Sequence, residues 1–183
     1  MDHDHILINR ILQGDHQAFK DLVVAHERLI YHILNGLLKD DKEAVDDLFQ
    51  EVLIKVYNRL PSFQQKSKLS TWIGRITYNH CFNHLRRERR RPETNSLEDL
   101  NEVQIMDERI FDAPIDETAQ LYKAIEKMPD QFRLILTLYH LDNLNYQEIG
   151  EVLKIAEGTV KSRLFRARKV LKDLLLKLDE HGG

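Results

Sequence analysis

The sequence predicts an all-α fold: two small helical domains joined by an acidic linker, the C-terminal one containing a helix-turn-helix. Three observations predict it. Apolar residues recur at helical spacing along most of the 183 residues. Alternating β-branched runs are scarce, and only seven Gly and four Pro punctuate the chain, which disfavours sandwiches, barrels and doubly wound sheets. Beyond Pro92, residues 93–118 hold nine acids and one base, Arg109. Such a stretch reads as a linker with weak helical content at most.

The helices follow in order. Residues 4–13 carry Ile6, Ile8, Ile11 and Leu12 and form a short first helix. Gly14-Asp15 breaks it, and Asp15 can cap the next. Residues 16–38 place Phe19, Leu22, Val23, His26, Leu29, Ile30, Ile33, Leu34 and Leu37 on one face. Residues 42–60 repeat the pattern with Val45, Leu48, Phe49, Val52, Leu53, Val56 and Leu60, and Pro61 ends it. A polar loop from Ser62 to Ser70 leads into a fourth helix reaching about Arg90. A second helical unit begins near residue 117, with Pro129 at a helix start and a turn at Asp142-Asn143. Asn145 with Glu148 three positions on forms a capping-box pattern opening a short helix. The expected domains are 1–92 and 119–183, with 93–118 between them.

Composition bounds the setting. One cysteine, Cys81, permits no intrachain disulfide and fits a reducing compartment. No apolar run approaches the roughly 18–20 residues that span a bilayer, so direct membrane insertion is not expected. Met1-Asp2-His3-Asp4-His5 lacks the features of a signal peptide. A cytoplasmic protein is the expectation.

The net charge of −3, from 27 Lys+Arg and 30 Asp+Glu, argues against nucleic-acid binding only if charge is spread evenly. It is not. Residues 86–91 hold five bases and one acid, and residues 154–172 hold seven bases and one acid, Glu157. Two basic stretches thus lie in different domains, with the acids gathered between them.

The strongest local signal spans residues 145–172. A short helix, Tyr146 to Leu153, meets a tight connection, Lys154-Ile155-Ala156, and a longer basic helix follows. That is the helix-turn-helix pattern, whose second helix enters the major groove. Winding the second helix at about 100° per residue puts Val160, Leu164, Ala167, Leu171, Leu174 and Leu178 on a core stripe. Lys161, Ser162, Phe165, Arg166 and Lys169 point away from it. Lys, Arg and Ser can bond base edges, and Phe can pack on a thymine methyl. Arg163 and Arg168 flank the core stripe, where phosphate or ion-pair roles fit better. A basic helix alone is as readily a solvated face; the capped helix and tight turn before it favour DNA.

Two further faces carry chemistry. On the fourth helix, Trp72, Asn79, Asn83, Arg86 and Arg90 share a stripe, with Arg87 inside the same basic run. Gly74, Tyr78, Cys81 and Leu85 lie opposite as a packing face. Amides leading into arginines suit base edges and then phosphates. The loop from Phe63 to Ser70 offers a place for an extruded base. Trp72 taken alone fits core packing better than base contact. On the third helix, Asp47, Gln50, Glu51 and Ile54 share a face separate from the core stripe. By itself that face is most simply solvated; an acidic-amide face with one apolar residue also suits a partner protein.

Enzyme readings find no support. There is no phosphate-binding G-x-x-x-x-G-K-[ST], no G-x-S-x-G and no H-E-x-x-H. His80 and His84 have a spacing compatible with metal, but no third ligand is evident, so neither metal nor cofactor is expected.

Over nearly its whole length the chain resembles bacterial RNA polymerase sigma factors of the extracytoplasmic-function subfamily. Asp47-Leu48-Phe49-Gln50-Glu51 looks like the family's polymerase-docking motif. Ser70-Thr71-Trp72-Ile73-Gly74-Arg75-Ile76 through Asn79 looks like its promoter-melting helix. Tyr146-Gln147-Glu148-Ile149-Gly150 and the run from Gly158 to Arg168 look like its promoter-reading helix-turn-helix. The resemblance implies a dissociable specificity subunit that binds core polymerase at its clamp and flap regions, recognises minus-35 and minus-10 elements and promotes melting. It matches minus-35 contacts to Lys161, Ser162, Phe165 and Arg166, minus-10 contacts to Asn79, Asn83 and the preceding loop, and polymerase contacts to Asp47, Gln50 and Glu51. It also implies that the linker follows the polymerase's RNA-exit path, and two exposed DNA-facing surfaces invite control by an anti-sigma partner. Gly74 and His80-Cys81-Phe82 depart from the family pattern, which leaves the fold reading intact and the minus-10 preference open. A stand-alone helix-turn-helix regulator leaves the third and fourth helices unexplained. A helical adaptor without a DNA role predicts no salt-dependent DNA affinity.

Overall fold

A computed structural model describes residues 3–38, 41–88 and 118–180, and among the described residues there are helices and no strands. The acidic stretch, and with it Arg90, lies outside the described residues. The chain divides into two compact units.

The first unit holds α1 (His3–Leu12), α2 (His16–Leu38), α3 (Lys42–Arg59) and α4 (Leu69–Glu88). Asp15 caps α2: its Oδ1 accepts from the Ala18 N–H at 3.1 Å, and Arg10 pairs with Oδ2 at 2.8 Å. Those partners hold the Asp15 carboxyl below its ordinary range, the backbone bond from Ala18 most of all. Asp41 repeats the device on α3, accepting from the Ala44 N–H at 3.0 Å. α2 packs against α1, α3 and α4, and α3 against α4. Leu22, Ile30 and Leu34 of α2 meet Leu48, Val52 and Val56 of α3 and Leu69 and Ile73 of α4 in one buried cluster. Tyr31 stacks on Phe49 with ring centroids 4.4 Å apart.

Two inward faces differ from expectation. In α1, Leu7, Ile8 and Ile11 are buried while Ile6 and Leu12 are exposed. In α4, the buried face is Leu69, Ile73, Ile76, Thr77 and His80; Gly74 and Cys81 are buried too and half-buried Leu85 packs against the core, but Tyr78 is only half-buried. The physical reason is area: Leu69, Ile73 and Ile76 gain most by leaving water, so the helix turns far enough to bury them alongside Gly74 and Cys81. The Thr77 hydroxyl donates to the Ile73 carbonyl at 2.9 Å, so its burial leaves no unmet bond. Pro61 sits in a 3-10 turn, Leu60–Ser62, that closes α3.

The second unit contains α5 (Thr118–Glu126), α6 (Asp130–His140), α7 (Tyr146–Leu153) up to Gly150, and α8 (Glu157–Glu180). Pro129 occupies the N-cap of α6. α8 packs on α5 and α6. Val160, Leu164, Ala167 and Leu171 of α8 are buried, while Leu174 and Leu178, expected on the same stripe, are half-buried. The turn between α7 and α8 is locally determined. Both bonds of the Asn145–Glu148 capping box form, at 2.9 Å and 2.8 Å. At the other end Lys154 adopts a left-handed conformation, φ 58°, and its N–H caps the Gly150 carbonyl. A Cβ at Gly150 would come within 2.8 Å of the Ile155 carbonyl oxygen, so the tight turn requires glycine there.

Candidate nucleic-acid and polymerase interfaces

On α8, the residues opposite the buried stripe face outward. Lys161 and Lys169 are exposed, Phe165 is 44% exposed, and Ser162, Arg163 and Arg166 are half-buried. An apolar ring this exposed beside cations is costly in water and suited to a groove that offers both methyls and phosphates. Several of these side chains are held within the unit. Lys161 Nζ lies 2.9 Å from Glu157 Oε1 and 5.5 Å from the centre of the Tyr146 ring. The Ser162 hydroxyl donates to the Thr159 carbonyl at 3.0 Å.

On α4, Asn83, Arg86 and Arg87 are exposed, and Asn79 is half-buried. The Asn79 amide donates to the Arg75 carbonyl at 2.6 Å, so it must turn outward to meet a base edge. Trp72 is half-buried: it packs on the core and tilts against Phe63, ring centroids 5.1 Å apart. Its remaining face borders a cleft of about 270 Å³ lined by Arg59, Ser62, Trp72, Arg75, Ile76 and Asn79. The cleft is smaller than sites for drug-sized ligands, which run to about 300–1,000 Å³. It combines an aromatic face, two guanidiniums and an amide. Those groups can stack on a flat ring, bond its edge and neutralise a phosphate.

On α3, Asp47, Gln50, Glu51 and Ile54 are all exposed, Ile54 at 61%. Two turns of one helix thus present two carboxylates, one amide and an unshielded aliphatic side chain, with α3's own core stripe on the other side.

Two family models cover the same units: Sigma-70 region 2 matches residues 22–91, and Sigma-70 region 4 matches residues 118–171. The RNA polymerase sigma-H factor of Pseudomonas aeruginosa is 33% identical over 183 residues, covering 95% of this chain and 94% of its own. The ECF RNA polymerase sigma-E factor of Escherichia coli K12 is 30% identical over 179 residues, 92% of each chain. The chain belongs to the extracytoplasmic-function sigma factors.

Solved structures agree on the fold. The sigma factor RpoE of Bartonella quintana, in complex with the anti-sigma factor NepR, matches with a TM-score of 0.63 at 23% identity over 86% of this chain and 96% of its own. CnrH, in complex with the cytosolic domain of CnrY, gives 0.63 at 22% identity over 95% and 97%. The family is one of transcription initiation factors that bind core RNA polymerase and recognise promoter DNA. Among the described residues, no helix of this sigma factor is long and apolar enough to cross a membrane.

The cleft also contains residues that sequence spacing did not single out as candidates. Arg59, from the end of α3, and Ser62, from the 3-10 turn, line the cleft with Trp72, Arg75 and Asn79 of α4. His80, read first as a possible half of a metal pair with His84, is buried and bonds Glu51 instead, Nε2 to Oε2 at 2.7 Å. Burial holds the His80 ring below its ordinary value, against the opposing pull of Glu51. Among the described residues no group of three His, Cys, Asp or Glu side chains is placed to hold a metal. Burial pushes the Cys81 thiol up to about 12, which makes it chemically inert at neutral pH.

Proposed function

We propose that this sigma factor divides promoter recognition between the outward faces of α8 and α4 and docks on core polymerase through α3. In this reading Lys161, Ser162, Phe165 and Arg166 read the minus-35 duplex in the major groove, with Arg163 and Lys169 on the flanking phosphates. Asn79, Asn83 and Trp72 meet the minus-10 strand, and Arg86, Arg87 and Arg90 follow its backbone. The cleft beside Trp72 takes one unstacked base. Asp47, Gln50, Glu51 and Ile54 contact the polymerase. Residues 1–92 and 119–183 act as the two functional domains, and 93–118 link them.

The observation that carries this reading is the outward face of α8. Its cations and one exposed ring stand opposite the buried residues Val160, Leu164, Ala167 and Leu171, behind a capped helix and a tight turn. No hydrolytic site is needed. Melting loses stacking of about 1–2 kcal/mol per step, and capture of extruded bases, each worth about 1–3 kcal/mol, offsets it. The protein is a binding subunit without catalysis of its own, acts in the cytoplasm, and is restrained by an anti-sigma factor. The last point is supported by Bartonella quintana RpoE, solved with its anti-sigma factor NepR.

The test is in vitro transcription from a promoter library with core polymerase, with and without this chain. Promoter-specific transcripts that need the chain, from templates sharing minus-35 and minus-10 elements, are expected. Equal output without it would remove the reading.

A further inference from the structure

A ladder of rings and cations spans three helices of the second unit. Tyr139, near the end of α6, stacks on Tyr146, the first residue of α7, with ring centroids 5.2 Å apart and planes 20° from parallel. A cation from α8 caps each end. Lys161 Nζ lies 5.5 Å from the Tyr146 ring centre, and Arg168 Cζ lies 5.5 Å from that of Tyr139. Both distances fall inside the reach of a cation–π attraction. Lys161 and Arg168 are seven residues apart, two turns, so they sit on one side of α8.

Lysine is the side chain for which such a hold matters. Its four-carbon stem is flexible, and its ammonium lacks the planar fork that fixes an arginine on guanine. Unheld, it pays rotamer entropy when it settles on a base edge. Here two neighbours hold it. Glu157, one turn back on α8, places an oxygen 2.9 Å from Nζ, and the Tyr146 face covers the ammonium from α7.

We propose that Tyr146, backed by Tyr139, is a specificity-determining positioning residue of this sigma factor: its ring face pre-orients Lys161 for base reading. This rests on the assignment of Lys161 to the minus-35 element. The ring acts through Lys161 and need not touch a base. Its face, not its hydroxyl, carries the effect. Tyr139 fixes the plane of Tyr146, and Arg168 fixes Tyr139. Stacking therefore ties the end of α6 and the start of α7 to the aim of one side chain on α8.

The experiment measures binding of full-length protein, in complex with core polymerase, to promoter DNA varied one base pair at a time across the minus-35 element. Four proteins are compared: wild type, Tyr146→Phe, Tyr146→Leu and Lys161→Ala. Far-UV circular dichroism and Tm verify the fold. Lys161→Ala identifies the base pair that Lys161 reads. At that base pair, Tyr146→Leu is expected to lower discrimination about two- to fivefold, the span of an exposed cation–π contact. Discrimination at the other positions should hold. Tyr146→Phe keeps the ring and should retain wild-type discrimination. A merely structural role would lower affinity at every position alike.

Three results overturn the proposal. The first is a Tyr146→Leu protein that leaves the Lys161 base pair as selective as wild type. The second is a Tyr146→Phe protein that loses as much as Tyr146→Leu, which transfers the role to the hydroxyl. The third is a Lys161→Ala protein with selectivity changed nowhere, which removes the underlying assignment as well; the first two results leave that assignment standing. If Tyr146→Leu fails to fold, Tyr139→Leu, which removes only the backing ring, is expected to show the same localised loss.

Discussion

The imidazole of His80 on α4 donates to the carboxylate of Glu51 on α3, Nε2 to Oε2 at 2.7 Å, across 29 residues of sequence. The direction of the bond follows from chemistry: an ionised carboxylate only accepts, so Nε2 carries the proton in neutral and charged imidazole alike. His80 is 7% exposed, whereas Glu51 is 56% exposed. One contact thus joins the core of the first unit to the face proposed to meet polymerase.

This arrangement predicts a pH dependence. Burial lowers the His80 proton affinity in the folded chain below the ordinary 6.5. The unfolded chain then takes up the proton first as pH falls. The stability that neutral His80 contributes is fully present above about pH 6.5 and is lost as pH drops through the folded value. His80→Gln keeps a donor to Glu51 and removes the titration. Denaturant unfolding between about pH 7 and 5.5 should show a steeper loss in wild type than in the variant. His26 and His140, whose values burial also lowers, remain in both proteins, so the difference isolates His80. A constant gap across that window would refute the linkage.

The α3 face predicts a separation of binding from folding. Ile54 is 61% exposed, so Ile54→Ala removes little buried area and should change stability by less than about 0.5 kcal/mol. If Ile54 is an apolar anchor in the interface, the same change should weaken core-polymerase capture about tenfold, near 1.4 kcal/mol. Gln50→Ala with Glu51→Ala should weaken capture further. Co-purification with core polymerase, quantified against wild type, gives the answer. Undiminished capture by both variants would move the docking surface elsewhere.

How much of this was legible in the sequence depends on how local the physics is. The capping box at Asn145–Glu148, the turn at residues 154–156 and the outward set Lys161, Ser162, Phe165 and Arg166 are fixed by neighbours within a few residues, and spacing alone located them. On α4, Gly74, Cys81 and Leu85 pack inward as their spacing predicts, whereas Tyr78 does not join the core cluster, because rotation of a helix follows the aliphatic area its neighbours can bury. Leu69, Ile73 and Ile76 outweigh the small residues on that count. His80 with Glu51, the cleft lined by Arg59 and Arg75, and the Tyr139–Tyr146 stack join residues from different helices. No periodicity within one helix reports such pairs.

Base reading by α8 predicts effects that differ by residue. Arg166→Ala should cost about 1–3 kcal/mol of minus-35 discrimination at one base pair. Lys169→Ala, if it removes a phosphate contact, should weaken binding to all sequences and lower the slope of log affinity against log salt by about one. Salt titrations on matched and mismatched promoter duplexes separate the two. Equal behaviour of the two variants would erase the distinction between reading and positioning residues on this face.

The α7–α8 turn predicts opposite outcomes for two substitutions four residues apart. At Gly150 an added methyl would meet the Ile155 carbonyl oxygen at 2.8 Å. The clash is with backbone that is itself bonded: the Ile155 N–H donates to the Gly150 carbonyl at 3.1 Å. Relief therefore means opening the turn that aims α8, and Gly150→Ala should cost about 1–3 kcal/mol. Lys154 sits at φ 58°, where a side chain is strained by roughly 1–2 kcal/mol. Lys154→Gly releases that strain but gives the unfolded chain more freedom, so the net gain should be about 0.5–1 kcal/mol. Thermal unfolding should show Tm lowered by the first change and raised by the second. Minus-35 affinity should fall with Gly150→Ala, because a displaced α8 no longer presents Lys161 and Arg166 together. A Gly150→Ala protein that melts and binds as wild type does would mean that the turn tolerates a Cβ, and that Gly150 does not set the angle between the two helices.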